Sequence, residues 1–418
     1  MGPSILGIWL AARFWDKFGW KSLCAWYAVR LASSWYWQEI VGRTLHFDLI
    51  GWVMHGEWIR DGARAGIDFH TPYSIGFNWL LGRAISIHDA DTSLVFLFAI
   101  AEFLALVVFY FAIRRGWCEK VAKQAILVYV TSPVYFAISW SEAQDEPLCM
   151  LGVALALWCA VRLRGLGVAF VSVVTLFFTK ILAVFYLAPF FLRRSWKSAV
   201  VAVVFVAGYL AVALSMGINP FDLVFGRELG MAADSGEMVL DFPMIGCVWA
   251  VMSNRIPLGG CGAICMVALV AVGIAFVPAF VGRAALSDDG ARVRLCICWG
   301  IAWLLVFNLL YTMTFETYLL PLAVPVILFV LDRRPGLERV VAATAFMVWL
   351  FMKIQEGYVR YLVIVNRVDP VAGRGIIVIN GVLTVVSACV CLGVVGHAVR
   401  PVLVDVWRKL LGGEDAGR

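Results

Sequence analysis

Charge is scarce in this chain. Of 418 residues only 15% are Asp, Glu, Lys or Arg, while 62% are apolar or aromatic and the mean hydropathy is +0.88. A soluble domain carries about 25% charge. So little charge cannot cover a water-facing surface, which excludes a soluble enzyme, a disordered chain and a fibrous protein. There is no Walker A sequence, no HExxH and no GxSxG, the signatures of P-loop, zincin and nucleophile-elbow chemistry. No internal repeat, low-complexity segment or window long enough for a separate soluble domain occurs. The eleven cysteines are scattered, and Cys296 and Cys298 have no His or second pair nearby that would complete a zinc site. Cys247 and Cys261 are the pair that a disulfide could join, in or beside one outer loop. After the apolar run from Ile5 to Ala12 no small-residue cleavage site follows, so a cleaved signal peptide is not expected. The net charge of +6 is spread between apolar segments and forms no single patch for nucleic acid.

What the chain does have is long apolar windows, near 20–38, 92–113, 121–140, 147–161, 166–179, 181–192, 198–217, 261–282, 295–312, 317–331, 337–354 and 376–397. They predict an all-α polytopic membrane protein, a single unit over 1–418 with about twelve segments. The windows 166–179 and 181–192 are short, and could instead be one helix. Charge separates the two readings. With twelve crossings and both termini cytoplasmic, 22 Lys and Arg fall on the inner side and 9 on the outer, and every inner loop has a basic cluster. That is the positive-inside pattern. Merging the two windows would move half of those clusters outside.

Acidic residues behave differently. Eighteen of 28 fall on the predicted outer side, an excess that insertion rules do not require and that points to chemistry on that face. The first outer loop, 39–91, contains two amphipathic runs, Phe47 to Ile59 and Ile75 to Ile85, interrupted at Pro72-Tyr73. They predict two helices lying in the membrane interface. Asp48 stands at the start of the first, where a lone Asp is usually solvated or a cap. Gln144, Asp145 and Glu146 form a dense polar turn before Pro147, which suits the first position of a helix. Lys180 lies between two half-length segments, away from any basic cluster, and an ionisable group at membrane depth is a functional hypothesis by default. Arg360, Arg367 and Arg374 recur at sevens in the last outer loop, a strip suited to phosphate or to solvent. Asp89-Ala-Asp91 is formally DxD but abuts a helix start, which favours a structural role. Arg30 and Glu102 sit within the first and second segments and should face the bundle interior.

In this order the features resemble the GT-C class of polytopic glycosyltransferases, which use polyprenyl-phosphate sugars. The first outer loop with its early acid and the Gly66–Tyr73 passage resembles the family's "G…pY". Ala143-Gln144-Asp145-Glu146 resembles its small-Gln-x-acid turn, Thr179-Lys180 followed by Pro189 its "tK…lP" step, and Glu316-Thr317-Tyr318-Leu319-Leu320-Pro321 its late "Y-l-l-P" element. The likeness covers about residues 20–330, with 337–418 as C-terminal helices and a cytoplasmic tail. Glu at 146 replaces the commoner Asp or Asn, and no DxD stands beside Asp48.

The resemblance implies an inverting transfer of a sugar, mannose-like in the nearest analogy, to a lipid, glycan or protein acceptor on the outer or luminal face. The donor is itself a lipid phosphate, so no metal or other cofactor is implied. A sugar phosphate already has a good leaving group, so one general base suffices, and Asp48 is ionised at neutral pH. Lys180, Arg360 and Arg367 would meet the departing phosphate. Gln144, Asp145, Glu146, Tyr73 and Glu316 would hold sugar or acceptor. The alternatives are a twelve-helix secondary transporter, which should show two related halves with charges near the midplane, and a non-catalytic assembly subunit.

Overall fold

The computed structural model describes residues 9–10, 13–36, 39, 47–69, 71, 73–136, 144–162, 165–179, 196–215, 320–321, 323–331, 339–341, 343–344 and 347. All belong to one compact unit, Met1–Val224 with Thr317–Met352. Among them the secondary structure is helical and no strand occurs. The helices are α1 (Trp20–Trp35), α2 (Phe47–Arg60), α3 (Ile75–Ala84), α4 (Ala90–Gly116), α5 (Glu119–Val130), α6 (Glu146–Val161), α7 (Gly165–Phe178), α8 (Trp196–Ser215) and α9 (Ala323–Leu331).

The central element is α4. Asp89 caps it by accepting from the Thr92 N–H, Asp91 lies in its first turn, and Arg114 and Arg115 close its last. Acids at the N-terminus and bases at the C-terminus both suit the helix dipole. This accounts structurally for the formal DxD. At 27 residues, with an 18-residue stretch of mean hydropathy 2.6, α4 is long and apolar enough to cross a membrane, the one such helix among the described residues. Residues Trp117 and Cys118 then turn the chain into α5, and Glu119 ties the hairpin by pairing with Lys123 at 3.0 Å and Arg114 at 3.7 Å.

Helix α4 packs most extensively on α6, which in turn packs on α7. Small residues permit these approaches. A Cβ built on Gly152 of α6 would collide with Thr175 of α7, and one on Gly76 of α3 would collide with the ring and carbonyl of Phe177.

The two helices expected in loop 39–91 are present as α2 and α3, and the break is longer than a kink at Pro72. Helix α2 already ends at Arg60. Gly62, at φ +100°, takes the left-handed conformation that glycine tolerates. The Gly62 N–H reaches the Ile59 carbonyl and the Ala63 N–H reaches that of Trp58, a Schellman closure. The next residues are held by the Arg64 N–H on Asp68 Oδ2 at 2.7 Å. Phe69 folds back on His55 and Trp58. On the inner face of the pair, Leu49, Trp52, Phe77, Leu81, Leu94 and Phe98 form one buried cluster. Ile50, Met54 and Trp58, four residues apart along α2, remain 50%, 41% and 39% exposed. That is an apolar stripe facing away from the protein.

Candidate functional site

The site assembles from chain segments that are distant in sequence. Ser74 caps α3 by accepting from the Phe77 N–H. It also docks the loop onto the end of α7: its N–H donates to the Thr179 carbonyl at 3.3 Å and its hydroxyl donates to the Phe177 carbonyl. Tyr73 is therefore one residue away from a bond to the residue that precedes Lys180. Asn78, buried one turn into α3, secures the loop through its amide N–H₂ on the carbonyls of Tyr73 and Ser74.

The same apolar cluster gathers the other segments. Leu49, next to Asp48 on α2, is buried in it, and Tyr73 and Leu148 pack against it. Tyr73 stacks on Phe77 at 4.4 Å and meets Trp52 edge-on at 6.1 Å. Leu148 lies two residues into α6 from Glu146. The structure thus brings the start of α2, the Tyr73 loop, the start of α6 and the end of α7 to one locus.

Gln144, Asp145 and Glu146 are only 3%, 1% and 3% exposed. An ordinary turn between helices would leave such groups in water, since burying a carboxylate is costly without compensating partners. Glu146 opens α6 and the Asp145 carbonyl accepts from the Leu148 N–H. Both carboxylates stand at a helix N-terminus, where its partial positive charge favours anions. Asp48 is the second residue of α2. Lys180, Glu316, Arg360, Arg367 and Arg374 lie outside the described residues, as do Cys247 and Cys261. In the loop ahead of Tyr73, the Asp68 carboxyl is held below the usual carboxylate range, first by the Arg64 backbone N–H and then by its side chain.

A second polar cluster occupies the middle of the bundle. Arg30 and Glu102 are 1% and 0% exposed and form an ion pair. Tyr27 donates to Glu102 Oε2 at 2.8 Å and Tyr129 to Oε1 at 2.5 Å. The Arg30 guanidinium also lies 5.2 Å from the ring centres of both Tyr27 and Tyr135. Three donors from α1 and α5 converge on one carboxylate of α4, which matches the expectation that Arg30 and Glu102 face inward. Sequence reading missed the tyrosines. The available signal was Tyr27 one helical turn before Arg30. Ser74 was missed as well, because its role depends on carbonyls a hundred residues away.

No protein-family model matches this sequence, and no curated protein or solved structure matches it either.

Proposed function

We propose that the chain is an inverting membrane glycosyltransferase of GT-C type, moving a hexose from a polyprenyl-phosphate donor to a lipid, glycan or protein acceptor. Twelve crossings, cytoplasmic termini and an extracytoplasmic or luminal site belong to the same reading. The observation that carries it is the docking of Ser74 on Thr179, within a cluster that also includes the neighbours of Asp48 and Glu146. Neighbours of motifs from four separate segments pack at one locus, which supports this reading. The exposed stripe of Ile50, Met54 and Trp58 supports α2 lying against lipid, beside a lipid-borne donor.

In this reading Asp48 removes the acceptor proton, Lys180 with Arg360 and Arg367 meets the phosphate, and Gln144, Asp145, Glu146, Tyr73 and Glu316 orient sugar and acceptor. Incubating the purified chain with polyprenyl-phosphate sugars and following product by mass spectrometry tests it. Asp48→Asn should lower transfer about 10²–10⁴-fold, since the amide keeps the shape but cannot take a proton. Glu146→Gln should do less, and Lys180→Met should chiefly weaken donor use. Equal, mild effects from all three would reduce these residues to ordinary loop charges.

One observation favours the transporter reading: an ion pair near mid-helix, about 18 Å along α4 by helical rise. Glu102 there already has three donors, which suits a fixed tie better than a site that binds and releases an ion. Substrate flux in proteoliposomes without sugar transfer would reverse that preference.

A further inference from the structure

A cavity of about 300 Å³ lies between α1, α5 and the residues just before α1. Phe14, Phe18, Trp26, Leu127 and Val130 line it, and Lys17 is the charged residue in its lining. None of its lining residues belongs to the buried cluster under Tyr73, which surrounds the start of α4. The cavity is therefore separate from the proposed transfer site.

Its walls select hydrocarbon, because an apolar lining offers a polar ligand little to replace lost water. By helical rise it reaches about 9 Å into α1 at Trp26 and about 16 Å along α5 at Val130. Lys17 gives the lining a positive charge, and the flanking sequence is basic. Segments 13–21 and 114–123 contain seven basic residues against Asp16 and Glu119. Of these, Lys123 is occupied by Glu119 at 3.0 Å and by the Asp16 carbonyl at 3.1 Å. Lys17 and Lys21 are exposed and have no carboxylate partner among the described residues; each ammonium lies over a ring, Phe14 at 5.3 Å and Trp20 at 5.9 Å. Trp9 and Trp20, about half exposed beside them, mark the depth at which indoles sit at a membrane–water boundary.

We infer that this cavity holds an acyl chain of an anionic phospholipid, with the headgroup phosphate against Lys17 and Lys21. The inference rests on the membrane reading and is independent of sugar transfer. Such basic openings between helices are where anionic headgroups bind, each lysine contributing about fivefold in affinity near a surface.

The test uses the full chain in nanodiscs of equal phosphatidylglycerol and phosphatidylcholine, with retained lipid counted by native mass spectrometry. Phosphatidylglycerol should be enriched. Lys17→Gln should weaken its retention about fivefold, and adding Lys21→Gln should weaken it further while leaving phosphatidylcholine unchanged. Ser22→Trp, filling the cavity from its partly exposed wall, should reduce retention of both lipids. Equal retention of the two lipids by the native chain, or no change in the lysine variants, would overturn the inference. Displacement by glycerol phosphate, which has no acyl chain, would also overturn it by reducing the site to a surface anion contact. A chain with no transferase activity could still pass, so the two readings fail separately.

Discussion

Glu102 shows how one side chain can govern a helical core. It lies on α4 with no exposure, and Arg30, Tyr27 and Tyr129 all donate to it. Removing one member of a buried pair leaves an uncompensated charge, at about 3–5 kcal/mol. Glu102→Ala should therefore lower the thermal midpoint more than any single tyrosine-to-phenylalanine change in the cluster. Arg30→Met combined with Glu102→Met should recover part of the loss. Recovery stays incomplete because the two hydroxyls lose their acceptor, at about 1–3 kcal/mol each. Strictly additive midpoints would disprove the coupling. Asp68 is the opposite case, fully on the surface. Its carboxyl is held below the usual range by Arg64. The clasp is thus present above the ordinary carboxylate pKa and is lost as pH falls through the lowered value. Carboxyl ¹³C NMR should find Asp68 titrating below the ordinary aspartate range, and Arg64→Ala should raise it only in part, because the backbone N–H of residue 64, the larger cause, remains.

At the scale of elements, the docking of α3 on α7 depends on an absent side chain. A Cβ at Gly76 would strike the Phe177 ring and its carbonyl oxygen, the same carbonyl that accepts from the Ser74 hydroxyl. Gly76→Ala should thus displace the Tyr73 loop, with an overpacking cost of about 1–3 kcal/mol, and reduce the proposed sugar transfer along with stability. Gly51→Ala is the matched comparison. Nothing lies within 4 Å of its added methyl, and alanine is the better helix former by about 0.5–1 kcal/mol. Thermal melts that rank the two variants alike would show that α3 does not depend on this contact. The α2–α3 pair was legible as two amphipathic runs, since their 3.6-residue spacing is local. The run Phe47 to Ile59 matches α2 to within a residue; the stop itself, a Schellman closure at Gly62 ten residues before Pro72, was not legible, because it is set by backbone conformation rather than by the most conspicuous breaker.

For the whole molecule, the proposed topology makes a prediction at the α4–α5 turn. Cys118 is a free, exposed cysteine there, next to Arg114, Arg115 and Lys120, and the positive-inside pattern assigns that turn to the cytoplasm. An impermeant maleimide should fail to label Cys118 in intact cells and label it once membranes are opened, with Cys118→Ser identifying the signal. Asp61→Cys, in the loop between α2 and α3, should label in intact cells. The reverse pattern would invert the topology and move the proposed site to the other face.

By itself the sequence determined the properties that depend on composition and short spacing. Too little charge for water, helical periods, and acids and bases at opposite ends of α4 together dictate helices that bury apolar faces. It also singled out Gln144, Asp145 and Glu146, because three polar residues in a tight connection are conspicuous against apolar flanks. Only the tertiary structure decided what those residues are near. That Asp145 is 1% exposed, that Ser74 holds the end of α7, and that Glu102 binds two tyrosines as well as Arg30 are consequences of contacts between residues up to a hundred positions apart. Helical period and charge specify which face of a segment turns inward. They do not specify the partner it meets there, because that is chosen by how all the helices can pack together at once.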